Sequence, residues 1–134
     1  MHKNKWAKRK GTIGERELID MFWETGNWSA HRIAGSGSSQ YPSPDVIAGN
    51  KIRKLAIEAK VTSDVRKSFP LAEIEGLKEF AFIFGAEPWI AIKFNVEKQW
   101  FFFSLEDLKE NPATYSITLK DAKIKGLLFE ELIR

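Results

Sequence analysis

Pro44-Asp45-Val46-Ile47-Ala48-Gly49-Asn50-Lys51-Ile52-Arg53-Lys54-Leu55-Ala56-Ile57-Glu58-Ala59-Lys60 is the stretch that decides how this chain folds. Two apolar runs, Val46–Ala48 and Leu55–Val61, flank a Gly-Asn-Lys turn, the signature of a β-hairpin. In the second run Leu55, Ile57, Ala59 and Val61 point one way, and Ala56, Glu58 and Lys60 the other. With Asn50–Arg53 as the loop, Gly49 pairs with Lys54 and Ala48 with Leu55. Counting outward, Asp45 falls opposite Glu58. Directly opposed residues share a face with β-carbons roughly 4.5–5.5 Å apart, and like charges so placed repel. Two facing acids on apolar strands need a partner that a structural hairpin would not supply. A divalent cation is the economical one, since Mg²⁺ takes hard oxygens from one or two carboxylates together with substrate phosphate. Lys60, two residues along on the same face, completes an acid–acid–base cluster. The plainer alternative is a turn-initiating Pro-Asp, an edge-strand Glu and a solvated Lys.

Working outward, 134 residues make one domain with room for a sizeable core. A chain 43% hydrophobic and 29% charged is ordinary for a globular protein. No apolar run reaches the ~18 residues of a membrane span, and no signal-peptide pattern opens the chain, so the expected compartment is cytoplasmic. The absence of cysteine excludes disulfides and thiolate metal sites, and two histidines argue against a zinc centre. Of the 21 basic residues, Lys3, Lys5, Lys8, Arg9 and Lys10 sit in the first ten positions without an acid. The remainder carries 16 basic against 18 acidic residues. Residues 1–10 therefore read as a basic N-terminal arm on a mildly acidic single domain, residues 11–134, a footprint of phosphate binding.

Residues 11–26 predict the first helix, with Thr12 as N-cap, Gly26 as C-terminal stop and Leu18, Ile19, Phe22 and Trp23 as the apolar stripe. Glu15 opens the buried face. It serves either a capping box with Thr12 or as a third carboxylate for the cation. Arg16 turns about 100° away, toward a phosphate or the acids. A strand from Trp28 to Ile33 follows, then a loop of small residues and prolines, 34–44, whose hydroxyls and amides suit phosphate oxygens. Beyond the hairpin, Leu71–Gly85 predicts a second helix with Ile74, Leu77, Ala81 and Phe84 on its stripe, widened by Phe80 and Phe82. Most of these aromatics are expected in the core, the alternative being a second subunit. Trp89–Phe94 and Gln99–Phe103 form another hairpin; Trp100–Phe103 is apolar enough to be buried on both faces. Ser104 caps a short helix, Thr114–Leu119 is a strand, and Leu127–Ile133 a terminal helical turn. His31 reads as an ordinary histidine. The order αβββαββ expects an α/β fold with the site at one edge of the sheet.

Pro-Asp, a hairpin and Glu-x-Lys resemble the PD-(D/E)xK nuclease superfamily. Arg9-Lys10-Gly11, then Glu15-Arg16-Glu17-Leu18, Arg32-Ile33-Ala34-Gly35-Ser36-Gly37, Pro44-Asp45 and Ile57-Glu58-Ala59-Lys60 together resemble the archaeal Holliday junction resolvases, in that family's order and at nearly its spacing. The resemblance implies a restriction-endonuclease-like mixed sheet flanked by helices. It implies that Glu15, Asp45 and Glu58 bind Mg²⁺, with Mn²⁺ as a substitute, and that Lys60 assists the attacking water. It also implies that Arg16, Arg32 and Ser36 serve junction binding or cleavage, and that two copies of the chain cut opposed strands. Two departures stand out. The turn 26–32 is one residue longer than usual, and Glu73 occupies a position of the second helix where many relatives carry Gln; no catalytic role is assigned to it.

The expected function is Mg-dependent hydrolysis of DNA phosphodiesters at four-way junctions, with paired nicks by a homodimer. Asp45, Glu58 and the Ala59 carbonyl would hold the ion, and Glu15 would complete the site or bind a second one. Lys60 would act electrostatically, because neighbouring acids oppose the fall in pKa that a general base needs. Arg9, Lys10, Arg16 and Arg32 would hold phosphates. A duplex-cutting nuclease of restriction or repair type and a non-catalytic DNA-binding module of the same fold remain alternatives. Protein partners such as a replication clamp or a branch-migration helicase are left open.

Overall fold

The computed structural model describes residues 2–35 and 40–134, with side chains from residue 11 onward. The second predicted run becomes the middle of the molecule. Strand β3 (Lys54–Thr62) is buried from Leu55 to Ala59, on both of its faces. An alternating strand becomes wholly buried when helices cover both sides of its sheet. The five-stranded sheet runs β1 (Ser29–Arg32), β2 (Val46–Gly49), β3, β5 (Glu87–Phe94), β6 (Gln99–Phe103). Its pairs are antiparallel except β3–β5, which is parallel with Glu58 beside Ile90. A parallel pair needs a long crossover. Here it contains β4 (Arg66–Pro70) and α2 (Leu71–Phe84).

The hairpin register is the predicted one from Gly49 against Lys54 through Ala48 against Leu55 to Val46 against Ile57. The expected pairing of Asp45 with Glu58 does not form, because the Asp45 amide also bonds to the Ile57 carbonyl and the ladder ends there. Its turn is held by the Asn50 side chain, whose Oδ1 accepts from the Ile52 and Arg53 amides at 2.8 and 2.6 Å. Arg53 in turn reaches the far end of the chain. It donates to both Glu87 carboxylate oxygens at 2.8 Å and to the Leu132 carbonyl at 2.7 Å.

One core layer lies between the sheet and α1 (His2–Glu24), where Leu18 and Phe22 meet Val46, Leu55, Ile57 and Ala59. The other lies under α2, where Ile74, Leu77 and Ala81 meet Ala56, Ile90 and Ile92. That second layer extends beneath a small sheet in which β8 (Thr114–Thr118) pairs with β4 on one side and β7 (Lys109–Glu110) on the other. Two short helices, α3 (Leu119–Lys125) and α4 (Phe129–Leu132), close the fold. Gly14 lets α1 lie directly on the sheet, since a Cβ there would stand 2.5 Å from Val61 Cγ2. Among the described residues no helix is long and apolar enough to cross a membrane.

Several expectations need correction. The first helix begins at His2 rather than near Thr12. The arm carries four lysines, an arginine and an alanine, all good helix formers, and one glycine at position 11 costs only about 1 kcal/mol. Thr12 is thus inside the helix and caps nothing, which removes the capping-box account of Glu15. Trp23 is half exposed rather than core; its indole N–H donates to the Ala30 carbonyl at 2.9 Å and its ring meets His31 edge-on. Phe82 is 88% exposed and Phe84 49%, with Phe84 stacked on Phe80. One face of α2 suffices to cover the sheet, so its other aromatics are left outside. Ser104 donates to the Asp107 carboxylate rather than capping a backbone amide. The strands β4 and β7 and the helix α3 had no periodicity long enough to announce them.

Candidate active site

Asp45 sits where the sheet splays. Its amide donates to the Ile57 carbonyl at 3.1 Å, its carbonyl accepts from the Ile33 amide at 2.9 Å, and its Oδ2 accepts from the Ala59 amide at 2.9 Å. Three bonds to β1's end and to β3 hold the residue beyond the last rung of β2. Within a strand the N–H and C=O of one residue leave on the same side. The Ala59 carbonyl is thereby directed to the edge where its amide meets Asp45. Glu58 and Lys60, alternating with Ala59, lie on the α2 side. Together Asp45, Glu58 and Lys60 line a cleft of about 620 Å³ whose opposite wall is α2 and whose rim is 40–43.

The electrostatics follow from burial. Glu58 is only 6% exposed. Desolvation first, then the Asp45 charge and the carboxylate of Glu73, push its pKa up to about 10, against the pull of Lys60. Glu58 therefore keeps its proton at neutral pH and shares it in a hydrogen bond with Glu73. Lys60 Nζ stands 2.9 Å from Glu73 Oε1. Burial disfavours the Lys60 ammonium, but Glu73, Asp45 and Glu58 outweigh it and lift the pKa above the lysine norm. Lys60 stays charged, which suits a role in stabilising anions and not one in removing protons.

Glu15 approaches from the α1 side, buried beside the end of the sheet. Burial and then Asp45 raise its pKa, while Arg32 lowers it. Arg32 Nε lies 3.5 Å from Glu15 Oε2, so the long turn before β1 still delivers this arginine to the site. Arg16 is exposed on the outer side of α1. The structure thus joins Asp45, Glu58 and Lys60 in one cleft, with the Ala59 carbonyl directed to the same edge and Glu15 and Arg32 paired at its α1 flank. Among the described residues, no three acidic or histidine side chains are grouped closely enough to cage an ion as they stand. Glu58 is turned to Glu73 and Glu15 to Arg32. Ser36 lies outside the described residues, as do the side chains of Arg9 and Lys10.

The donor set fits a hard divalent cation. Asp45, Glu58 and the Ala59 carbonyl offer only oxygens, and no sulfur or imidazole lines the cleft. A carboxyl group raised this far by burial and a like charge is one that a nearby cation would return to its anionic form. The residue that sequence reasoning left without a role is Glu73. Its signals were an acid in the first turn of a helix next to buried Ile74 and its place where many members of the resembled family carry Gln.

A family model described as archaeal Holliday junction resolvase (Hjc) matches residues 6–134. Crossover junction endodeoxyribonuclease Hjc of Archaeoglobus fulgidus is 38% identical over 131 residues, covering 92% of this chain and 95% of its own. The protein of the same name from Methanocaldococcus jannaschii is 35% identical over 122 residues, 91% of this chain and 84% of its own. The solved structure of A. fulgidus Hjc, a Holliday junction resolvase from an archaeal hyperthermophile, superposes with a TM-score of 0.82. At 36% identity it covers 89% of this chain and 94% of that one.

Proposed function

The chain belongs to the archaeal Holliday junction resolvase family, and from that membership we propose that it is a divalent-metal-dependent endonuclease resolving four-way DNA junctions. The observation that carries this reading is the single cleft lined by Asp45, Glu58 and a charged Lys60. Intact acids and lysine speak against a module that only binds DNA.

Mg²⁺ is the ion that the all-oxygen donor set favours, with Mn²⁺ as a working substitute. Asp45, Glu58 and the Ala59 carbonyl would hold it, with Glu15 completing the site from the α1 side. When bound, the ion lowers the pKa of an attacking water and offsets charge on the departing 3′ oxygen. Asp45 is oriented for this by the Ala59 amide. Lys60 keeps its proton and places a positive charge where the phosphate gains negative charge. Arg32, exposed Arg16, Arg9, Lys10 and Ser36 hold flanking phosphates, and affinity falls with added salt.

A homodimer is part of the proposal. Phe82 and Ile83 stand exposed and adjacent on α2, with Phe84 half exposed beside them. Exposed apolar side chains clustered at one end of a helix suit an association surface, and a second copy would place two clefts on two opposed strands. The test is a gel. The protein is incubated with Mg²⁺ and a labelled four-way junction, with linear duplex of the same sequence alongside, and again as Glu58→Ala. Paired symmetric nicks confined to the junction and lost in the variant support the proposal. Equal cutting of both DNAs makes it a duplex nuclease, and binding without cutting makes it a DNA-binding module.

A further inference from the structure

We propose that Glu73 is the residue that positions Lys60 for the cleavage step, an inference that rests on the endonuclease reading. Lys60 projects from β3 toward α2, and its Nζ is 2.9 Å from Glu73 Oε1. The same Glu73 lines the cleft together with Glu58 and Asp45. One acid on the α2 wall therefore holds the ammonium within the cleft, while Asp45 is held apart by the Ala59 amide.

Glu73 is well placed to be a fixed reference. It lies in the first turn of α2, directly after Pro70, which ends β4 against Thr114 of β8. The next residue, Ile74, is completely buried, and Leu77 almost so. The helix cannot slide without opening the core, so the carboxylate keeps its place relative to β3. Lys60 has no such constraint of its own. A lysine side chain carries about 2 kcal/mol of rotamer entropy, and its ammonium is drawn equally to any nearby acid. Without Glu73 the nearest acids are Glu58 and Asp45. An ammonium bound to those oxygens would occupy the groups that are to receive the cation and would leave the scissile phosphate unattended. Glu73 supplies the competing acceptor, drawing the ammonium to the α2 wall but leaving it partly accessible in the cleft. An amide at the same place would still accept one hydrogen bond from Lys60, without the charge.

The experiment compares the parental protein, Glu73→Ala, Glu73→Gln, Lys60→Ala and the Lys60→Ala/Glu73→Ala double variant. Single-turnover cleavage of a four-way junction and junction binding in chelator are measured for each. Reductive methylation of Lys60 is followed by mass spectrometry in the metal-free parental protein and the Glu73 variants. Glu73→Ala is expected to cleave about 10- to 100-fold more slowly, with binding unchanged within about twofold. Glu73→Gln should recover most of that rate. In the Lys60→Ala background the loss of Glu73 should cost nothing further, because the two act as one unit. Lys60 should be methylated several-fold faster in Glu73→Ala. Parental cleavage by Glu73→Ala, losses that multiply in the double variant, or unchanged methylation would overturn the inference. A parental protein that cuts no junction sinks the endonuclease reading along with it, whereas a parental protein that cuts while Glu73→Ala matches it sinks this inference alone.

Discussion

Replacing Glu58 with glutamine should make the metal-free protein more stable at neutral pH, although it removes an acid of the candidate site. Glu58 is buried, and desolvation together with Asp45 and Glu73 raises its folded pKa to about 10. In the unfolded chain a glutamate titrates near ~4.3. For an acid raised in this way the stability contribution is fully present below the unfolded pKa and is lost as pH rises toward the folded one. Each unit in that window costs about 1.4 kcal/mol, so at pH 7 the penalty reaches about 3–4 kcal/mol. Part of that shift is shared with Glu73, whose own pKa is lowered by the same hydrogen bond and by Lys60, so about 2 kcal/mol is the expected gain on substitution. The amide introduced by Glu58→Gln can still donate to Glu73, which preserves the bond while removing the proton equilibrium. Urea unfolding in chelator across the range from about pH 4.5 to 9 measures it. Parental stability should fall with pH over that range, and the variant should gain on it steadily, starting from near equality at the acid end. Adding Mg²⁺ should stabilise the parent more than the variant. A variant less stable than the parent near pH 8, or a parental curve flat across the range, refutes the reasoning.

Three other outcomes are expected. Gly14→Ala should lower stability by about 1–3 kcal/mol, because the new methyl meets β-branched Val61 at the α1–β3 contact; thermal unfolding reads it, and a parental midpoint would mean that the helix can step back freely. Arg32→Ala should weaken junction binding and reduce the slope of log affinity against log salt by about one. An unchanged slope would confine Arg32 to its pairing with Glu15. Phe82→Glu should change monomer stability by no more than about 0.5 kcal/mol, since the ring is exposed, yet should convert a sedimenting dimer to monomer. A variant that sediments as the parent does would put the dimer surface elsewhere.

The β2–β3 register is legible in the sequence because everything that sets it is local. A four-residue turn and a period of two fix which residues face each other, and a slip by one would have turned Glu58 toward the α1 core. That counting puts Glu58 and Lys60 on one face, whereas Asp45, beyond the last rung, reaches the cleft through its bonds to Ile57 and Ala59. Helix α2 is legible for the same reason, down to Gly85 in the left-handed conformation at its end. The start of helix α1 is not, because a good capping pattern at Thr12 competes poorly with a run of helix formers before it. Nor is the exposure of the α2 aromatics, because hydrophobicity says that a residue seeks cover, not whether this chain provides it.

By itself, then, the sequence determined the hairpin, the face shared by Glu58 and Lys60 and the family whose blocks surround them, all carried by short-range spacing. Only the tertiary structure decided that Glu73 joins Lys60 and Glu58, that Arg32 comes to Glu15, and that Glu58 holds its proton. Those outcomes depend on two helices closing on opposite faces of one sheet. Proximity between distant segments and exclusion of water belong to the packed whole, and no local pattern encodes them.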